Sequence, residues 1–209
     1  MFDAVVVTRE LRAAGEAFGP PSAAPLVLRW SLLLGALDET IDSEYLSAIE
    51  LIYEGYLFHY RDSRLCDVAS GKRETALLAG DFLYARGLRL IAARGDVGAV
   101  DLLARLMAVC SILRGAKASF SADDALWAYT VGGIAALHRG ILLASIVRLF
   151  DELDAALADG AAPDVRSSTR AFLPALAFPD PSILAAELAG SASPSAPKGP
   201  TPMAAAVAS

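Results

Sequence analysis

The chain has 209 residues, 55% of them apolar and 20% charged, with 18 lysines and arginines against 24 acids for a formal net charge of −6. This is enough for one domain with a real core, and the acidic balance excludes the basic footprint that grips a nucleic-acid backbone. Two cysteines, Cys66 and Cys110, are too few for a disulfide framework, so a reducing, cytoplasmic location is expected.

The first residues carry Asp3, Arg9 and Glu10 where a signal peptide would place basic and then apolar residues. They read as a short amphipathic start, broken by Gly19, Pro20, Pro21 and Pro25. A helix is expected over 25–37. The next spans 42–60, where Tyr45, Ile49, Ile52 and Tyr56 share one face and Glu50 and Glu54 lie off it. Residues 61–72 are polar and without period.

Helical spacing returns over 74–94 with Leu77, Tyr84, Leu88 and Ile91. Gly95 supplies a left-handed stop, and Asp96 caps the following helix, which carries Val100, Leu103, Met107 and Cys110 and an outward Asp101–Arg105 pair. Ser121 to Asp124 resembles a capping box. The helix it opens is apolar nearly all round over 131–147 and is expected to run on to Gly160. The apolar stretches 26–37 and 131–147 contain Arg29 and His138–Arg139, so both fall short of a membrane span and are expected as core helices.

Pro174, Pro179 and Pro181 cut residues 161–189 into short pieces, and residues 190–209, rich in Ser, Ala, Gly and Pro, are expected to be disordered. The chain therefore reads as an all-α, antiparallel bundle of five or six helices over 1–160, followed by short helices and a tail. No strand pattern or internal repeat emerges.

The segment Leu77-Leu-Ala-Gly-Asp-Phe-Leu-Tyr-Ala-Arg86 closely resembles a conserved stretch of the trans-polyprenyl diphosphate synthases. Upstream, residues 51–59, ending in His59, look like the helix that leads those enzymes to their first aspartate-rich motif. Residues 102–117 and 127–145 are similar to the two helices that follow, so the likeness covers about 45–150. It implies an isoprenoid-synthase fold in which Mg²⁺ draws off an allylic diphosphate and the cation is captured by isopentenyl diphosphate.

The motif residues depart from that pattern. The family has paired aspartates directly after the histidine; here His59 is followed by Tyr60, Arg61, Asp62, Ser63 and Arg64. Arginine repels a cation and keeps its proton. The family's paired-arginine loop is shortened to Gly71, Lys72 and Arg73. Its diphosphate-holding lysine should fall at 130–133, yet the lysines are Lys72, Lys117 and Lys198. Asp151, Glu152 and Asp154 are the nearest acidic cluster to a second motif, about 20 residues too early. The resemblance thus implies a fold shortened at its C-terminus and stripped of both metal motifs.

Some candidate site residues remain. Asp62 and Asp81 are candidates for surviving catalytic acids, and Asp62 with Asp67 for a Mg²⁺ site, to which Asp151, Glu152 and Asp154 could add. A solvated acidic turn is the alternative. His59, Asp62 and Cys66 have the spacing of a transition-metal set, or of a polar helix end. Arg61, Arg64, Lys72 and Arg73 could hold an isoprenoid diphosphate without metal, or form a solvated loop. Asp81, expected among apolar positions facing the bundle, would need Arg86, Lys72 or Arg73 as a partner. His138 reads as a satisfied core histidine.

Three functions are open. One is a non-catalytic accessory or scaffold subunit, as homo-oligomer or paired with a catalytic prenyl diphosphate synthase through helices 74–94 and 97–117. The others are a prenyltransferase with an atypical site and a helical lipid- or terpenoid-binding protein.

Overall fold

A computed structural model describes residues 3–22, 26–66 and 73–190. It is all-α among the described residues, with one isolated antiparallel bridge between Pro21 and Cys66. The helices are α1 (Ala4–Gly15), α2 (Trp30–Leu37), α3 (Ser43–Tyr60), α4 (Arg73–Ala92), α5 (Val97–Gly115), α6 (Phe120–His138), α7 (Leu143–Ile146), α8 (Arg148–Ala158), α9 (Val165–Phe172) and α10 (Ser182–Gly190), with a 3₁₀ turn at Leu173–Leu176. No helix is long and apolar enough to cross a membrane. The tail expected to be disordered lies, from residue 191 on, outside the described residues.

Short polar side chains start half of the helices. Asp3, Asp42, Asp96, Ser119 and Asp164 each accept backbone N–H bonds in the first turn of α1, α3, α5, α6 and α9, which is worth about 1 kcal/mol apiece. Ser119, not Ser121, is the cap of α6. The helix expected over 25–37 begins only at Trp30, because its first N–H groups are taken by Glu50 from α3: Oε1 accepts from Arg29 N at 2.8 Å and Ser31 N at 2.9 Å.

Two helices form the inside of the bundle. Every residue of α3 from Tyr45 to Phe58 is buried, as is every residue of α6 from Asp123 to Ala136. Helix α3 is wrapped by α1, α2 and α4, and α6 by α2, α5, α9 and α10. Trp30, Tyr53, Tyr56 and Trp127 join the two across the middle, with Trp30 and Trp127 stacked at 5.8 Å and Tyr53 edge-on to Trp127 at 5.0 Å. These large side chains dominate the burial energy.

The α3–α4 pair is antiparallel and unusually close, and its glycines are the reason. A Cβ on Gly55 would stand 2.8 Å from Gly80 O, and one on Gly87 would stand 2.6 Å from Ala48 O. Gly80 accommodates the His59 ring, which a Cβ would meet at 2.7 Å.

The continuous helix expected from Asp124 to Gly160 is instead three. Arg139 caps α6, and Gly140 adopts φ +88°, a left-handed conformation that turns the chain out of the helix. Asp151 therefore lies on α8, which packs against α5 and α9.

Candidate functional site

The polar interior of the bundle lies around the ends of α3 and α6 nearest the Arg61–Cys66 segment. Glu50 and Glu54, expected off the apolar face of α3, are fully buried. They are i and i+4 on one helix, and one residue serves both. Arg64 donates from Nε to Glu54 Oε2 at 2.8 Å and stands with Nη2 2.9 Å from Glu50 Oε2, while its own N–H bonds Glu54 Oε1 at 2.7 Å. Its third edge donates to Val27 O at 2.8 Å, and its plane covers Tyr53. Ser63 Oγ completes the shell of Glu54, and Ser31 that of Glu50. Burial works against the Arg64 charge, but Glu50 and Glu54 outweigh it and hold the guanidinium above its ordinary value.

Helix α6 contributes Asp123 and Asp124. Asp123 is fully buried and accepts the Tyr56 hydroxyl and the Arg114 fork, whose Nε lies 2.9 Å from Oδ2 and whose Nη2 lies 2.9 Å from Oδ1. Burial pushes its carboxyl up to about 6 despite these partners. Burial likewise raises Tyr56, helped by the Asp123 charge. Asp124 accepts Arg61 Nη2 at 2.9 Å and faces Arg29 Nη1 at 3.4 Å. Arg29 closes the outer edge with a two-pronged contact to Glu187 of α10, at 2.9 and 2.7 Å. Phe120 is stacked between Arg61 and Arg114.

Four arginines thus meet four buried or nearly buried carboxylates, with Glu187 at the rim. Charge-assisted forks of this kind occupy the lone pairs of their carboxylates. Mg²⁺ needs free carboxylate oxygens in near-octahedral array, and these residues do not fit it: each acid that α3 and α6 bring together already faces a guanidinium. Trp30 Nε1, Trp127 Nε1 and Thr130 Oγ1 are buried without a hydrogen-bond partner among the described residues.

The residues singled out in the sequence do not converge on this interior, with one pair of exceptions. Arg61 and Arg64 are in it, but facing inward onto acids instead of forming an outward basic patch. Asp62 is exposed, and so is Arg73 at the start of α4; Asp67 and Lys72 lie outside the described residues. Asp81, expected to face the bundle, instead has a side chain 71% exposed that meets His59 Nε2 at 3.1 Å. It flanks the contact between Gly80 and the His59 ring, at the solvent edge of the α3–α4 pair.

Cys66 is buried, and among the described residues no group of three His, Cys, Asp or Glu side chains is arranged to hold a metal. Asp151 pins α8 to α5 through Arg105, at 2.7 Å, while Glu152 and Asp154 are exposed. His138 lies at the surface end of α6 between two aspartates.

No family model, curated protein or solved structure matches the chain.

Proposed function

We propose that this chain is a polyprenyl-synthetase-like protein of isoprenoid metabolism that has kept a helical scaffold and given up chemistry, acting as an accessory subunit. The observation that carries this reading is the fate of the segment after His59. Where the resemblance expects metal-binding aspartates, Arg61 and Arg64 are turned into the bundle and sit on Asp124, Glu50 and Glu54. Replacing a cation site by guanidinium–carboxylate pairs neutralises the acids from within and leaves an incoming diphosphate no free arginine fork there.

Apolar side chains on the outer faces of α4 and α5 support a partner. Leu78 and Phe82 are 68% and 49% exposed, and Val97 and Ile112 are 74% and 47% exposed. These are the helices through which the resemblance implies pairing.

The test is co-expression with the prenyl diphosphate synthases of the same host. A stable heteromer, weakened by Leu78→Asp or Phe82→Asp and altering the product length of the active partner, is expected. Recovery as a clean monomer that leaves their products unchanged would contradict the reading.

A further inference from the structure

A second polar constellation ties other elements together. His138 ends α6, Asp38 ends α2, Asp96 caps α5, and Tyr45 lies in the first turns of α3. The imidazole stands between two carboxylates: Nδ1 is 3.1 Å from Asp38 Oδ2 and Nε2 is 2.8 Å from Asp96 Oδ2. Asp96 Oδ2 also accepts the Tyr45 hydroxyl at 2.6 Å, and its Oδ1 accepts Ala99 N at 3.0 Å. Asp38 Oδ1 accepts Thr40 N at 2.9 Å and Thr40 Oγ1 at 2.6 Å. The Tyr45 ring meets the imidazole edge-on. Thr40, Tyr45, Arg94, Asp96 and His138 help line a groove of about 420 Å³.

Carboxylates accept and do not donate, and a neutral imidazole has one N–H and one lone pair. Both contacts are hydrogen bonds only while the ring carries two protons. Loss of one proton sets a lone pair against a carboxylate about 3 Å away, and one contact must give. Asp96 is held by Tyr45 and by its capping bond; Oδ2 of Asp38 faces the histidine alone. We propose that His138 is a proton-operated latch: as imidazolium it ties Asp38 at the end of α2 to Asp96 at the start of α5, and as neutral imidazole it keeps Asp96 and releases Asp38 with the α2–α3 turn.

The surrounding charges favour the closed form. Asp38 faces the histidine from the end of α2, Tyr45 from α3 and Asp96 from the α4–α5 turn, and Asp42 and Arg94 line the same groove. Arg94 is spent on Asp42, at 2.6 Å, and Glu44, at 2.8 Å. Arg139, next along, donates to Ala177 O and covers Phe178. The Asp96 bond, then that of Asp38, raises His138 above 6.5 against the effect of burial, and Asp96 is correspondingly held down at about 2. A raised histidine contributes its stability below 6.5 and loses it as pH rises through the higher folded value, so the latch opens on the alkaline side.

The experiment is long-range ¹⁵N NMR of the full chain, with His138 assigned through its loss in His138→Gln, alongside amide hydrogen exchange. The expected result is a ring protonated on both nitrogens at pH 6, titrating above 6.5, with a lower value in Asp96→Asn. Between 6.5 and that titration the protection factor of the Thr40 amide falls about tenfold per pH unit and levels off above it, while that of Ala99 holds. In Asp38→Asn, whose amide can donate to a neutral ring, Thr40 protection no longer depends on pH. A ring titrating at or below 6.5, or Thr40 protection that ignores the His138 titration in the wild type, would overturn the latch.

Discussion

Arg64 is the residue on which the interior charge balance turns. It serves Glu50 and Glu54 together, both fully buried. Removing one partner of a buried pair leaves an uncompensated charge, so Arg64→Met should lower stability by about 3–5 kcal/mol in urea denaturation. The triple variant Glu50→Gln, Glu54→Gln, Arg64→Met should recover a large part of that loss, since amides need no counter-charge. Equal destabilisation by the single and triple changes would show that packing, not charge, sets the cost.

Asp123 gives a pH signature of its own. Its folded value of about 6 lies above the ordinary 3.8. A raised acid binds its proton better folded than unfolded, so its contribution to stability falls as pH rises from about 4 to about 6 and is level above that. The interval corresponds to about 3 kcal/mol. Asp123→Asn should flatten the unfolding free energy over this window; an unchanged slope would place the proton elsewhere.

Neither role was legible locally. Helical periodicity assigns a charged residue in an apolar run to the solvent face, and that rule misplaced Glu50 and Glu54. Burying them requires Arg64, ten residues beyond the second, on a segment with no regular period. The available signal was two acids at i and i+4 inside a stripe of tyrosines, with equal numbers of arginines nearby.

Among the elements, the α3–α4 contact depends on atoms that are missing. Gly87→Ala would drive a Cβ to 2.5 Å from Ile52 Cγ1 and 2.6 Å from Ala48 O. Because one of these is backbone, a loss of about 1–3 kcal/mol is expected by thermal or urea unfolding. Gly115, at the end of α5, has open space around its Cβ position, so Gly115→Ala should gain up to about 1 kcal/mol. Opposite signs for two changes of identical chemistry would separate close approach from helix propensity.

The segment Leu77 to Arg86 can be understood here in physical terms. Gly80 lets α4 reach His59 and Gly55, Leu83 fills the core, and Asp81 and Phe82 face outward. The stripes expected on α4 and α5 are only partly their core: Leu77, Tyr84, Leu88, Val100 and Met107 are half-buried, while Leu83 and Ile91 of α4 and Leu102, Leu103, Leu106 and Cys110 of α5 are buried. The presence of α3, α4 and α5 and the cap Asp96 do follow from local spacing and a short polar side chain. The break at Gly140 did not, although a glycine after His138 and Arg139 is a sound helix stop. The apolar residues on both sides of it concealed the end.

For the whole molecule, the two ends of the pH scale are set by different groups. Asp38, Asp42 and Asp96 are all lowered, so their stabilising effect is lost as pH falls below about 4. Asp123 and His138 act in the opposite sense, the first below and the second above pH 6. Stability is therefore expected to peak on the acidic side of neutrality, and denaturant melts at one-unit pH steps from 3 to 9 will trace it. A maximum at pH 8 or above would mean that other groups dominate.

The proposed role rests on a scaffold whose acids are consumed by its own arginines. Its most direct test is turnover by the purified chain of allylic diphosphates from C5 to C20 with isopentenyl diphosphate and Mg²⁺. The expected result is no prenyl product and no released pyrophosphate at any chain length, with Asp62→Ala and Asp81→Ala indistinguishable from wild type. Mg²⁺-dependent product formation that either substitution abolishes would contradict it.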